Sequence, residues 1–235
     1  MLLVIHIAIL TTWIAIAISL SAMRSCSGQR VYSPAQEALR FEAHVWEPSG
    51  ASNPLYAGKP TEARDKAWTE LLQYSSLRFT VEELEMIGPT RKDEGVKLPD
   101  GGYLGTLMVF HELHCVKHLR FYLYAAHYFP ELTAEQTKAR LVHLDHCLDI
   151  LRVGAMCRGD TAPLTMRWGR SQPRPLANFS SAHSCVNWDS LNGWAQKRAV
   201  THLFDPGYLR HPVLGNVFEG PDAELIGLIG AVEVP

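Results

Sequence analysis

Residues 111–120 read HELHCVKHLR and residues 143–152 read HLDHCLDILR; the two copies share H-x-x-H-C-x-x-x-L-R. Histidine and cysteine are the side chains that carry protons near neutral pH and bind transition metals. On a helix, residues three and four apart share a face. His111 and His114 therefore make one edge with Cys115 a step round, and His143 and His146 make a second with Cys147 beside it. Two helices facing each other through these edges gather four imidazoles, a donor set that suits copper, zinc, iron or nickel. His118 extends the first edge, whereas Ile150 stands at that place in the second copy.

The HELH stretch is not a zinc-protease motif. H-E-x-x-H needs a second histidine at position 115, where Cys115 stands. Four histidines and two cysteines also exceed the ligands of one tetrahedral zinc. An all-histidine set in an oxidising compartment fits copper, with His111, His114, His143 and His146 as ligands. If Cys115 and Cys147 are ligands too, a Cu(I) or zinc site follows. The plain alternative is two amphipathic helices with satisfied core histidines, in which Leu119 and Leu151 are ordinary core positions. Arg120 and Arg152 are then helix C-terminal charges or partners of a carboxylate such as Asp160.

Several elements must position these residues. Thr133 and Gln136 form a capping box, so a helix is expected from about 134 to 153, ending at Gly154. The first motif runs into FYLYAAHYF (121–129), an aromatic wall or a core stripe, and stops at Pro130. YLGTLMVF (103–110) is a short strand or a helix entry. Residues 61–79 read as a helix capped by Thr61, and 80–88 as a second capped by Thr80. Residues 89–102 form a polar loop. Residues 183–200 offer a last helix with Asp189 as its cap.

With 235 residues, a net charge of −2 and a pI of about 6.6, the chain lacks the basic excess that neutralises phosphates, so no nucleic-acid partner is expected. Leu2–Ala22 carries no formal charge and is long enough to cross a bilayer. It reads as an uncleaved anchor, with a cleaved signal as the alternative. Arg24 and Arg30 follow it and favour a cytoplasmic body. The cysteines and the glycosylation triplet Asn178-Phe-Ser180 favour the secretory lumen and are given more weight. Cys115, Cys147, Cys157 and Cys185 are then candidates for two disulfides, with three possible pairings; Cys26 stands apart. The expected architecture is mainly α: a membrane anchor (1–22), a stalk (23–60), one helical lumenal domain held by disulfides (61–205) and a packed or disordered tail (206–235).

The doubled motif, DKAW (65–68), GYLGTLMVFHELHC (102–115), MCRGD (156–160) and H-S-C with following tryptophans (183–194) resemble the UstYa family of fungal secondary-metabolite proteins. The resemblance covers about residues 65–200. It implies a membrane-anchored protein of mycotoxin or cyclic-peptide biosynthesis. The implied chemistry is oxidative, on a peptide or peptide-derived small molecule: macrocyclisation, hydroxylation, desaturation or halogenation. It implies a catalytic set of His111, His114, Cys115, His143, His146 and Cys147, with copper as cofactor. A paralogous partner or a second copy of the chain is a further expectation. The alternative from another class is a non-catalytic membrane scaffold holding structural zinc.

Overall fold

Each of the threonines singled out as a cap begins a helix. A computed structural model describes residues 6, 9–16, 31–47, 52–213 and 215–216. The chain divides into units 1–34 and 35–235. In the first, helix α1 is described over residues 9–16. A 3-10 turn (Pro34–Ala38) spans the boundary, and the second unit continues with β1 (Phe41–Val45), α2 (Glu62–Leu71), β2 (Leu77–Phe79), α3 (Val81–Ile87) and α4 (Arg91–Glu94). Then come β3 (Tyr103–Gly105), α5 (Met108–Leu123), α6 (Ala125–Tyr128) and α7 (Ala134–Arg158). The chain continues through β4 (Thr165–Arg167), β5 (Leu176–Asn178), β6 (Ala182–Val186), α8 (Trp188–Gln196), β7 (Arg210–His211) and β8 (Gly215–Asn216). Thr61 accepts from the Arg64 N–H, and full capping boxes join Thr80 to Glu83 and Thr133 to Gln136.

The strands pair antiparallel in four two-stranded sheets: β1 with β6, β2 with β3, β4 with β5, and β7 with β8. The main core packs Leu77, Phe79, Leu84, Phe110, Leu191, Trp194 and Ala195 against Ala35 and Ala38. A second cluster joins Leu98, Val200, Leu203 and Leu209.

Several expectations need correcting. The proposed membrane span does not stand: among the described residues no helix is long and apolar enough to cross a membrane. Residues 9–16 would cover about 12 Å of a ~30 Å hydrocarbon layer; the rest of Leu2–Ala22, apart from His6, and Cys26 lie outside the described residues. The single-pass membrane placement, and the lumenal one derived from it, lose their footing. Cys115, Cys147, Cys157 and Cys185 are free thiols, so the domain is not held by disulfides among them. The domain is also less purely helical than expected. Leu77 and Phe79 are buried while Arg78 between them is not, a period of two inside a stretch read as helix. Residues 183–186 are strand rather than helix, because they pair with β1 from Phe41↔Val186 to Val45↔Ala182. Asn187, not Asp189, caps α8 by accepting from the Ser190 N–H. The stretch assigned to a stalk thus supplies a strand and two core alanines. Of the expected tail, Leu209 is part of the second cluster, and most of the remainder lies outside the described residues.

Candidate metal centre

Helices α5 and α7 pack against each other, and side-chain pairings show that they run antiparallel. His111 meets His146 with ring centroids 5.7 Å apart, and three residues further along α5, His114 meets His143 at 5.8 Å. Cys115 and Cys147, both with no exposed surface, influence each other across the same seam. The repeats are therefore two facing halves of one cluster. His118, absent from the expected ligand set, is in it: its ring lies 4.2 Å from His114 and 4.9 Å from His143.

Burial decides the protonation of these rings. His114 is 5% exposed. Desolvation, followed by the charges that His118, His143 and His111 would carry, pushes its pKa down to about 3. His111 and His143 are lowered by the same cause, each assisted by His146. At neutral pH these three are neutral imidazoles, the form that binds metals. Their Nε2 atoms are buried and have no hydrogen-bond partner among the described residues. Leaving one buried polar atom unsatisfied costs about 1–3 kcal/mol, so three together oppose folding unless a ligand takes them up. That donor set fits a copper or zinc ion. As the side chains stand, no group of three or more His, Cys, Asp or Glu residues among the described residues is arranged to hold one.

The surroundings fix the helix pair. Glu112, on a different side of α5 from the ring cluster, is buried and accepts a hydrogen bond from Arg158 at 2.5 Å. A Cβ at position 154 would collide with the Glu112 carboxylate. Gly154 is thus a point of close approach inside α7 and not its end; the helix runs to Arg158 and stops at Gly159, in the left-handed conformation at φ 51°. Arg120, buried, donates to the Gly58 carbonyl and lies 3.8 Å from Asp65, which accepts from the Tyr128 hydroxyl. The first Leu-Arg pair therefore anchors α5 to the loop before α2. The second does not: Arg152 is exposed and bonds Asp149 one turn away. Phe121 packs on Tyr128, and Arg140 lies over the Phe129 ring. A cavity of about 10 Å³ touches His118, Tyr122, Phe129, Arg140, His143 and Leu144.

Other singled-out residues lie elsewhere. Asn178 ends β5, half-buried, with its side chain accepting from the Ser180 N–H. Cys157 is exposed near the end of α7, and Cys185 is half-buried in β6. Asp160 pairs with His183 at 2.6 Å rather than with either motif arginine, and Trp46 stacks on the His183 ring at 4.2 Å. Sequence spacing had marked His118 on the right helix face without joining it to the site. Nothing local marked Glu112 or Gly154, whose roles depend on the facing helix.

Comparison with known proteins places the chain in a family. The family model described as mycotoxin biosynthesis protein UstYa matches residues 1–198, and the chain belongs to the UstYa family. It is 28% identical to the UstYa family oxidase phomYc of Diaporthe leptostromiformis, over 69% of this chain and 64% of that one. It is 28% identical to the transacylase cctO of Talaromyces islandicus, over 73% and 61%. With the UstYa family oxidase VicYb of Bipolaris victoriae it shares 37% identity over 41% of this chain and 82% of that one. The match thus spans less than two thirds of the length of phomYc and of cctO. No solved structure matches.

Proposed function

We propose that the chain is an oxidase of fungal secondary-metabolite biosynthesis that uses copper at the α5–α7 histidine cluster. The observation that carries this reading is the set of three buried, neutral Nε2 atoms on His111, His114 and His143, which have no hydrogen-bond partner among the described residues. Relatives named UstYa family oxidases support the reaction class. The substrate is a peptide or peptide-derived small molecule, and the reaction is an oxidative one such as macrocyclisation, hydroxylation, desaturation or halogenation. When bound, copper supplies one-electron chemistry with dioxygen. The chain's own residues do the rest. The imidazoles, kept neutral by burial, offer lone pairs. The Glu112–Arg158 pair and Gly154 hold the two helices in register. Phe121, Tyr128 and Phe129 keep water from one end of the cluster.

A second reading is favoured by the free thiols of Cys115 and Cys147, which lie beside the histidines and are soft donors. In it the chain is a non-catalytic pathway protein with structural zinc, and one similar chain is named a transacylase rather than an oxidase. Metal analysis separates the two. The purified chain is loaded with copper or zinc and desalted, and dioxygen uptake is followed with a reductant. The His111→Ala/His143→Ala double variant is treated alike. The oxidase reading expects copper retention and oxygen uptake in the wild type, with binding at least about tenfold weaker in the double variant, a loss of about 1.4 kcal/mol or more. Full copper loading and full turnover in the double variant sink it; tightly held zinc, no copper and no turnover favour the second reading.

A further inference from the structure

Strand β1 is exposed at every one of its residues, Phe41 to Val45, and among the described residues its one strand partner is β6. The Asn187 N–H donates to the Arg40 carbonyl at 2.7 Å, which extends the antiparallel ladder by one hydrogen-bonded pair beyond Phe41↔Val186. Hydrogen-bonded pairs alternate along such a ladder. Glu42 with Cys185 and His44 with His183 are therefore the next two, and the backbone N–H and C=O groups of Phe41, Ala43 and Val45 point away from β6. Among the described residues no backbone group takes them up. Native edge strands are commonly blunted by lysine, proline or a bulge. β1 has no lysine or proline and pairs with β6 residue for residue, without a bulge. Its one formally charged side chain, that of Glu42, is engaged by the Asn187 amide.

A cavity of about 340 Å³ opens on the same ribbon, lined by Phe41, Glu42, Ala43, Ala182, His183 and Ser184. Side chains alternate between the faces of a strand, so Phe41, Ala43 and Val45 share one face with Ser184 and Ala182. Ala43, Ala182 and Ser184 are small and make a low floor, beside Phe41 at 67% and Val45 at 49% exposure. The opposite face is occupied, because Trp46 stacks on His183 and His183 pairs with Asp160. We infer that β1 is a docking edge for an extended peptide, which adds as a third strand and sets an apolar side chain into the cavity. Outward N–H and C=O groups at strand spacing match another extended backbone, and a side-chain pocket on the same strand selects among its residues. The cavity falls within the range of about 300–1,000 Å³ that holds small ligands. The peptide is the substrate of the oxidase proposed above, and the inference rests on that reading for this role alone.

The test is a fluorescence-anisotropy titration of the metal-free full chain into a labelled, end-capped peptide in which threonine alternates with phenylalanine and valine. An added strand bonds through the N–H groups of alternate residues only. Methylating the backbone nitrogens of one alternate set should weaken binding at least about tenfold, and methylating the other set should change it by less than about twofold. Ala43→Pro removes an outward N–H while sparing the ladder to β6, a substitution that edge strands tolerate. Ser184→Phe fills the cavity. Each variant should bind at least about fivefold more weakly. Melting shows whether the variants fold; if Ala43→Pro does not, the methylated peptides and Ser184→Phe decide. No binding by the wild type overturns the proposal, as does equal affinity for the two methylated peptides. Self-association that Ala43→Pro abolishes and the peptide does not displace gives the edge to a second copy of the chain, and overturns it too. These outcomes are read without metal and leave the copper reading to its own test. Peptide binding of the expected pattern by a chain that holds no copper upholds the docking edge and sinks only the oxidase.

Discussion

A buried imidazole nitrogen with nothing to bond is expensive, and among the described residues three lie on one seam without a hydrogen-bond partner, at His111, His114 and His143. Leucine or isoleucine at those positions would avoid the cost, as Ile150 does at the place matching His118. The histidines therefore lower the stability of the metal-free chain in a pH-dependent way. His114 has its pKa depressed from 6.5 to about 3 by desolvation first and by His118, His143, His111 and Lys117 after it. Its unfolded form takes up a proton as pH falls through about 6.5, and its folded form does so only near 3. Stability is thus full above about pH 6.5 and falls progressively between these limits, by a few kcal/mol in all. The metal-free wild type should melt at markedly lower temperature at pH 5 than at pH 7.5. His114→Leu should flatten that dependence; an equal pH slope in the variant would mean that His114 is not the group responsible. The H-x-x-H-C spacing was enough to identify four of the five clustered rings. The roles of His118, Glu112 and Arg120 were hidden because their partners lie 25 or more residues away in the chain: His143, Arg158 and Gly58.

Local chemistry set where helices begin more reliably than where they end. A capping box involves residues three apart, so Thr133 with Gln136 and Thr80 with Glu83 could be read directly. Gly154 looked like a stop because glycine commonly ends helices, yet α7 continues for another turn to Arg158. Its lack of a side chain makes room for the Glu112 carboxylate instead. Gly154→Ala gains about 1 kcal/mol of helix propensity and meets an overpacking cost of about 1–3 kcal/mol. A net loss of roughly 1 kcal/mol is expected, lowering the melting temperature by about 2–4 °C for a chain of this size. A rise instead would show that Glu112 swings aside without cost and does not fix the helix register. Apart from β3, which lies in a stretch read as a short strand or a helix entry, the short strands were missed for a related reason. Three residues such as Leu77–Phe79 carry too little periodicity to be separated from a neighbouring helix.

Among the described residues, the longest-range strand pairing is the β1–β6 ribbon, which joins residues 41–45 to 182–186. It is reinforced by hydrogen bonds from the Asn187 side chain to Glu42 and from the Trp194 indole to Glu37. Ala35 and Ala38 complete the main core beside it. A stalk would be dispensable; this segment makes strand and core contacts. Deleting residues 1–33, which ends one residue short of the boundary between the two units, should leave the melting temperature of the remainder essentially unchanged. Deleting 1–47 removes one strand of the ribbon and two core alanines. It should lower the melting temperature by several degrees or abolish the cooperative transition. Equal stability of the two truncations would restore the stalk reading.

The sequence by itself determined what depends on neighbours within a turn or two: the helix caps, the paired histidine edges, the rejected zinc-protease register and the motifs that mark the family. Tertiary structure alone decided the rest. It turned two similar helices into facing halves of one cluster and drew in His118 as a fifth ring. It tied Glu112 to Arg158, left the body cysteines as thiols, and made a paired strand of residues assigned to a stalk. Spacing along a helix fixes which side chains share a face. Which faces meet, and how deeply the rings between them are desolvated, is set by contacts between segments far apart in the chain.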